Sequence, residues 1–102
     1  GITSSTFTFY GFMPHKKGRE TLFKTITESN QTSVFYESVH RIEKTLESLV
    51  KSLEENRQMV IARELTKMHE EVVRGTASEV KTHFENNKDH IRGEFVVIVE
   101  NK

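Results

Sequence analysis

Three short runs of apolar residues constrain the fold of this chain more than any other feature of its sequence. The runs are Val34–Tyr36, Met59–Ala62 and Phe95–Val99, and each one meets a charged residue at one or both of its ends. Apolar runs of this length without polar alternation are typical of strands buried on both faces, as in a parallel sheet. We therefore expect a sheet of several strands, and the five-residue run at Phe95–Val99 predicts its central strand.

The segments between these runs have the patterns of helices. Apolar residues recur at spacings of three and four over Val39–Leu53, which predicts a helix with Ser38 as its N-cap and Asn56 at its end. The sequence Thr-Ala-Ser-Glu at Thr76–Glu79 is a capping box and predicts the start of another helix. A shorter helix is predicted around residues 22–26.

Two further segments have strand patterns. Residues 6–13 begin by alternating polar and apolar side chains, which predicts a half-buried strand. Residues 70–74 follow the preceding strand so closely that the two are predicted to pair antiparallel. The predicted order is therefore β-α-β-α-β-β-α-β. This order indicates an α/β fold, with three helices on the faces of a mixed, mostly parallel sheet of about five strands.

Composition narrows the class of protein. The 102 residues fit a single domain spanning residues 1–102, and 15 basic residues balance 15 acidic ones, so any contact with RNA must come from local patches. The absence of cysteine excludes disulfides and thiolate metal sites. No apolar stretch approaches the roughly 18 residues of a membrane span, and the N-terminal residues lack the pattern of a signal peptide. We expect a cytoplasmic protein.

Charged residues follow two of the predicted strands at the points where they end. Glu37–Arg41 follows one strand and Arg63–Lys67 follows another, and the carboxyl ends of parallel strands meet at one edge of a sheet. A helix beginning at Ser38 would present its free N–H groups there to an anion, with His40 and Arg41 reaching toward it. The alternative is that Ser38 only caps the helix and the two basic residues are solvated.

A basic cluster at residues 15–19 (His-Lys-Lys-Gly-Arg) is the densest in the chain. It suits contact with RNA phosphates, and it equally suits a solvated loop. We expect no metal site, because the five histidines have no zinc-ligand spacing. Glu70 and Glu71 also point to opposite faces of a strand, which argues against a carboxylate pair.

Five motifs occur in the order in which one known family has them. They are Tyr10–Pro14, Lys17–Arg19, Tyr36–Arg41, Ala62–Glu70 and Gly93–Glu100. Together they resemble the C-terminal half of the small-subunit ribosomal RNA 2′-O-ribose methyltransferases, in the tetrapyrrole methylase superfamily. The departures are small. Met13 stands where the family has Leu, and Val39 stands where Pro is common before the His-Arg pair.

The resemblance implies the C-terminal domain of a class III methyltransferase. Such enzymes bind S-adenosylmethionine in a cleft between two domains, generally dimerise, and in this branch methylate the 2′-hydroxyl of a cytidine in small-subunit ribosomal RNA. The family's N-terminal domain, with its glycine-rich cofactor loop, has no counterpart in the chain. We therefore expect the fragment alone to be inactive and to expose apolar surface that the N-terminal domain would cover.

Two sets of site residues are predicted from these arguments. Cofactor contacts are expected from Tyr36, Glu37, Ser38, Ala62, Arg63, Glu64 and Glu94. RNA contacts are expected from Lys16, Lys17, Arg19, His40, Arg41 and Lys67. No catalytic base is identified, and for Arg63 and Glu64 an ion pair at the domain interface is the alternative. Two other functions stay open: the domain of a corrin or porphyrin methylase (or of diphthine synthase), and a non-catalytic dimerisation or binding module.

Overall fold

A computed structural model of the chain describes residues 7–14, 16–66 and 69–102, apart from the side chains of residues 64–66 and 69. The elements along the chain are β1 (Phe7–Phe12), α1 (Arg19–Glu28), β2 (Thr32–Glu37), α2 (Ile42–Ser52), β3 (Gln58–Thr66), β4 (His69–Thr76), α3 (Ala77–Asn86), a 3₁₀ turn (Lys88–His90) and β5 (Glu94–Val99). This confirms the predicted order of strands and helices. None of the described helices is both long enough and apolar enough to cross a membrane.

The five strands form one mixed sheet in the order β1-β2-β5-β3-β4, with β5 at its centre as predicted. The prediction of mostly parallel pairing is wrong, because only β1 and β2 pair parallel and the other three neighbouring pairs are antiparallel. The physical reason is the path of the chain after β3. The hairpin to β4 and the return through α3 bring the chain back to the carboxyl end of β3. β5 then enters between β2 and β3 in the opposite direction.

All three described helices pack on the same face of the sheet, whereas the prediction placed helices on its faces without saying which. A single buried core joins the helices to that face through Phe23, Ile26, Ile42, Leu46, Leu49, Val80, Phe84, Phe35, Ile61, Phe95 and Val97. Along β5 the side chains of Phe95, Val97 and Val99 are buried, whereas Val96 and Ile98 between them are half-buried. The apolar runs thus reflect a second apolar face, which no described helix covers.

Of the two predicted helix starts, the structure confirms one and contradicts the other. The capping box is confirmed: the Thr76 hydroxyl accepts a hydrogen bond from the Glu79 N–H, and the Thr76 N–H donates to the Glu79 carboxylate. Ser38 is not the N-cap of α2, which begins at Ile42. The Ser38 carbonyl accepts hydrogen bonds from the N–H groups of Arg41 and Ile42, so a turn separates β2 from the helix.

Candidate functional site

The strand ends that carry the sequence motifs lie side by side at one edge of the sheet. In the register of the strands, Phe95 on β5 lies between Glu37 on β2 and Arg63 on β3, and Glu64 lies opposite Glu94. The carboxyl ends of β2 and β3 therefore adjoin the start of β5. The structure brings the predicted residues of these three strands together at this edge, and the side chain of Glu64 lies outside the described part of the chain.

A cleft of about 400 Å³ opens at this edge on the face without helices. Its lining consists of Phe12, Tyr36, Ala62, Arg63, Glu70, Glu94 and Val96. Four of these were predicted from the sequence as cofactor contacts: Tyr36, Ala62, Arg63 and Glu94. The small side chain of Ala62 lies directly opposite Val96, so the floor of the cleft is apolar and shallow enough for a flat ring.

An aromatic wall borders the cleft on the side of β1 and β2. The ring of Tyr36 lies 5.2 Å from those of Phe9 and Phe12, measured between centroids. Phe12 is 64% exposed and Phe9 is 52% exposed, so neither belongs to the core of this domain. Phe9 lies opposite Val34, and an irregularity in β1 at Gly11, whose φ is 72°, breaks the alternation after it, so that Phe12 lies opposite Tyr36.

Two carboxylates, Glu70 and Glu94, give the cleft a negative rim. Both side chains are exposed and line the cavity. Glu70 was not among the predicted site residues, although its position one residue before Glu71 on β4 places the two side chains on opposite faces as expected. Only the pairing of β4 with β3, which sets Glu70 opposite Glu64, could have identified it.

Glu37 lies on the other side of the sheet, within the helix layer, and is 3% exposed. Its carboxylate accepts hydrogen bonds from the Ser38 N–H at 3.0 Å and from the Thr45 hydroxyl, and it lies 3.6 Å from Arg19 Nη1. These bonds tie the end of β2 to α1 and α2. The structure therefore gives Glu37 an internal, positioning role, and its direct contact with a cofactor stays a prediction.

The predicted RNA-contacting residues fall into three groups. Lys16 and Lys17 are exposed in the loop after β1, and His40 is exposed in the turn after β2, where Arg41 is half-buried. Both segments lie at the same edge of the sheet as the cleft, because β1 and β2 run parallel. The side chain of Arg19 is instead hydrogen-bonded within the fold, and Lys67 lies outside the described residues.

The guanidinium of Arg19 is used within the fold. It donates hydrogen bonds to the Pro14 carbonyl at 3.0 Å and to the Thr45 hydroxyl at 2.8 Å, and it lies 5.0 Å from the ring centroid of Phe23. The side chain is 15% exposed. Arg19 therefore holds the basic loop against the helices, while the lysines before it remain open to a ligand.

Arg63 lines the cleft and also forms a partly buried ion pair with Glu71. Its Nε donates to Glu71 Oε1 at 2.6 Å, and its side chain is 3% exposed. Burial raises the pKa of Glu71, but the hydrogen bond and charge of Arg63, together with His90 and His83, outweigh it and hold that pKa below its usual range. Arg63 thus pairs with Glu71 within this domain, and the ion pair considered for Arg63 and Glu64 at the domain interface stays a prediction. Arg63 Nη1 is buried and makes no hydrogen bond to any residue that the structure describes.

Known proteins similar to this chain include several bacterial enzymes. The chain is 41% identical over its whole length to "Ribosomal RNA small subunit methyltransferase I" of Haemophilus influenzae, covering 36% of that protein. The proteins of the same name from Thermotoga maritima and Bacillus subtilis are 39% and 41% identical over 100% and 98% of the chain. The chain covers 45% and 34% of those two proteins, so it spans less than half the length of these curated relatives.

Solved structures agree on the fold. A cobalt precorrin-4 methyltransferase, a cobalamin biosynthetic enzyme, superposes with a TM-score of 0.65 at 15% identity over 93% of this chain and 40% of its own. The methyltransferase CobJ superposes with a TM-score of 0.61 at 19% identity over 93% of this chain and 41% of its own. Residues 2–81 match the family model described as Tetrapyrrole (Corrin/Porphyrin) Methylases. Since that match covers most of its length, the chain belongs to the tetrapyrrole methylase family.

Proposed function

We propose that the chain is the C-terminal domain of an S-adenosylmethionine-dependent methyltransferase that methylates the 2′-hydroxyl of a cytidine ribose in small-subunit ribosomal RNA. The observation that carries the proposal is the similarity, at about 40% identity across essentially the whole chain, to relatives named as small-subunit ribosomal RNA methyltransferases. Four of the five sequence motifs also contribute residues to the lining of one cleft. An N-terminal domain of the same protein would complete the site, and the fragment alone would be inactive.

The cleft has the chemistry that S-adenosylmethionine requires. Ala62 and Val96 offer an apolar floor to the adenine ring, and the aromatic ring of Tyr36 with the carboxylate of Glu94 suits the positively charged sulfonium. Arg63 Nη1, a buried donor without a described partner, suits the cofactor's carboxylate. When bound, the cofactor supplies an electrophilic methyl group.

RNA would approach the same edge of the sheet. The exposed Lys16 and Lys17, with Arg41 in the turn after β2, place positive charge at the edge of the sheet that holds the cleft, where it can hold phosphates without reading bases, and the exposed His40 adds a hydrogen-bonding group. The chain's contribution to the reaction is then alignment of the ribose oxygen, while removal of the hydroxyl proton falls to a base not yet identified. We further propose that the protein acts in the cytoplasm as a homodimer.

A tetrapyrrole substrate is the second candidate, because the family model is described by corrin and porphyrin methylation. The deciding experiment is methyl transfer from labelled S-adenosylmethionine by the full-length protein to small ribosomal subunits that lack native 2′-O-methylation. We expect label on a ribose oxygen of the RNA. Cofactor binding without any label on RNA would contradict the proposal and favour a tetrapyrrole. A protein that binds no cofactor would favour the non-catalytic module.

A substitution in the floor of the cleft tests whether S-adenosylmethionine binds there. Ala62→Leu fills the space against Val96 and is expected to weaken S-adenosylmethionine binding at least about tenfold, or about 1.4 kcal/mol. Isothermal titration of the full-length protein measures this. The matched control is Val72→Leu, which enlarges an exposed side chain opposite Ala62 on the same face but outside the cleft lining. Equal affinities for the two variants would place the cofactor elsewhere.

A further inference from the structure

Three potential metal ligands from different elements converge beside the end of the sheet. Glu71 lies on β4, His83 on α3 and His90 on the 3₁₀ turn that precedes β5. His90 Nδ1 lies 3.0 Å and His83 Nε2 lies 3.4 Å from the same oxygen, Glu71 Oε2. One ligand atom from each of the three residues lies within 4.8 Å of the other two. The three side chains are between one fifth and one third exposed, so an ion could enter from solvent.

The spacing of these atoms matches a first coordination shell. With bonds of about 2.0–2.2 Å, the ligand atoms of a tetrahedral zinc ion lie about 3.3–3.6 Å apart. The two distances to Glu71 Oε2 are already close to this range, and a small movement of the imidazoles would complete the set. Two histidines and one carboxylate with an open fourth position are an established zinc-binding set.

The surroundings of the cluster also suit a metal. His83 Nε2 is buried and makes no hydrogen bond to the described residues, so in the tautomer protonated at Nδ1 its lone pair is free to bind an ion. Glu71 Oε1 is held by Arg63 Nε at 2.6 Å, which fixes the carboxylate and leaves Oε2 directed to the histidines. An outer hydrogen bond of this kind orients a ligating carboxylate in metal sites. The positive charge of Arg63 repels a second cation, so we expect the affinity of this cluster for a metal ion to be moderate.

We propose that Glu71, His83 and His90 bind a divalent transition-metal ion, for which zinc is the best-fitting candidate, with water in the fourth position. Imidazole nitrogens favour zinc over magnesium or calcium, which prefer oxygen ligands. The proposal goes beyond methyl transfer, which uses no residue of this set directly. An ion there would fasten the 3₁₀ turn to β4 just before Gly93 and Glu94, and would thereby fix the start of β5 at the cleft.

The test uses the full-length protein freed of metal with a chelator and titrated with Zn²⁺ against a chromophoric competitor. We expect one zinc ion at this site in the wild type. His83→Asn and His90→Asn should each weaken its binding by more than the roughly 10–100-fold that the loss of an outer-shell partner costs. The matched control is His40→Asn, which removes an exposed histidine of the turn between β2 and α2 that is not one of the three ligands and should leave zinc affinity unchanged.

Two results would overturn the proposal. One is a wild-type protein that binds zinc no more tightly than the His83→Asn variant. The other is binding that survives both histidine substitutions, which would place the metal elsewhere. Glu71→Gln leaves Arg63 without its charged partner and risks unfolding, so the two partly exposed histidines carry the test, with circular dichroism checking their folds. Independently of any activity, Zn²⁺ should raise the melting temperature of the wild type and not of His83→Asn.

Discussion

Glu37→Ala is expected to reduce the free energy of unfolding by about 3 kcal/mol, because removing one member of a buried charge pair strands the other. Glu37 is the acceptor that joins Arg19, Thr45 and the Ser38 N–H, and its side chain is almost completely buried. Urea denaturation measures the change. The matched control is Glu20→Ala, which removes an exposed carboxylate from α1 and should change stability by less than about 0.5 kcal/mol.

The isosteric Glu37→Gln variant distinguishes positioning from direct contact. If Glu37 only positions the end of β2, any loss of S-adenosylmethionine affinity in the variants should parallel their loss of stability. A Glu37→Gln protein that is as stable as the wild type yet has lost cofactor affinity would instead show a direct contact. The same measurement on Thr45→Val, which removes a hydrogen bond to the same carboxylate, completes the comparison.

Arg57→Met is expected to cost about 3 kcal/mol, because it removes the guanidinium hydrogen bonds to three partly or fully buried carbonyl groups. The Arg57 guanidinium donates to the carbonyls of Ile26 at 3.0 Å, Thr27 at 2.6 Å and Glu100 at 2.7 Å, and the residue is 4% exposed. It therefore closes the carboxyl-terminal end of α1 against the start of β3 and the end of β5. Two of its acceptors are carbonyls of the last turn of that helix, where the Ile26 carbonyl also accepts from the Ser29 N–H at 3.3 Å.

The control for Arg57 is Arg92→Met. Arg92 is exposed and donates to the Asp89 carbonyl at 2.9 Å, so the same chemical change there should cost less than about 0.5 kcal/mol. Chemical denaturation of both variants under the same conditions gives the difference. A loss below about 1 kcal/mol for Arg57→Met would mean that water replaces the guanidinium at the three carbonyls, and that the cross-link between α1, β3 and β5 is dispensable.

Local features of the fold were predictable from the sequence because they depend on neighbouring residues. The capping box at Thr76–Glu79 and the order of the elements follow from spacings within a few residues. The turn at Ser38–Arg41 was missed because Ser is also common in such turns, where its backbone rather than its side chain makes the bonds. The central position of β5 followed from its apolar run, whereas its direction depended on the return through α3.

The residues of the candidate site were predictable from the sequence only where they lie at the ends of strands. Tyr36, Ala62, Arg63 and Glu94 line the cleft because the sheet sets the ends of β2 and β3 beside the start of β5. Glu70 and the cluster of Glu71, His83 and His90 could not be foreseen, since their proximity arises from pairing and packing of separate elements. The spacing rules that argued against a metal apply to ligands on one helix or loop, and these ligands lie on three elements.

The central strand of the sheet is also the last one along the chain, and this has a consequence for synthesis on the ribosome. Without β5 the other described strands form two separate pairs, β1 with β2 and β3 with β4, because none of them bridges the two pairs. The core side chains Phe95 and Val97 are missing from both pairs until residues 94–99 emerge. The sheet and its core therefore cannot be completed before β5 is synthesised. Until then the nascent chain can form at most two separate strand pairs, and a two-stranded unit is at best marginally stable alone.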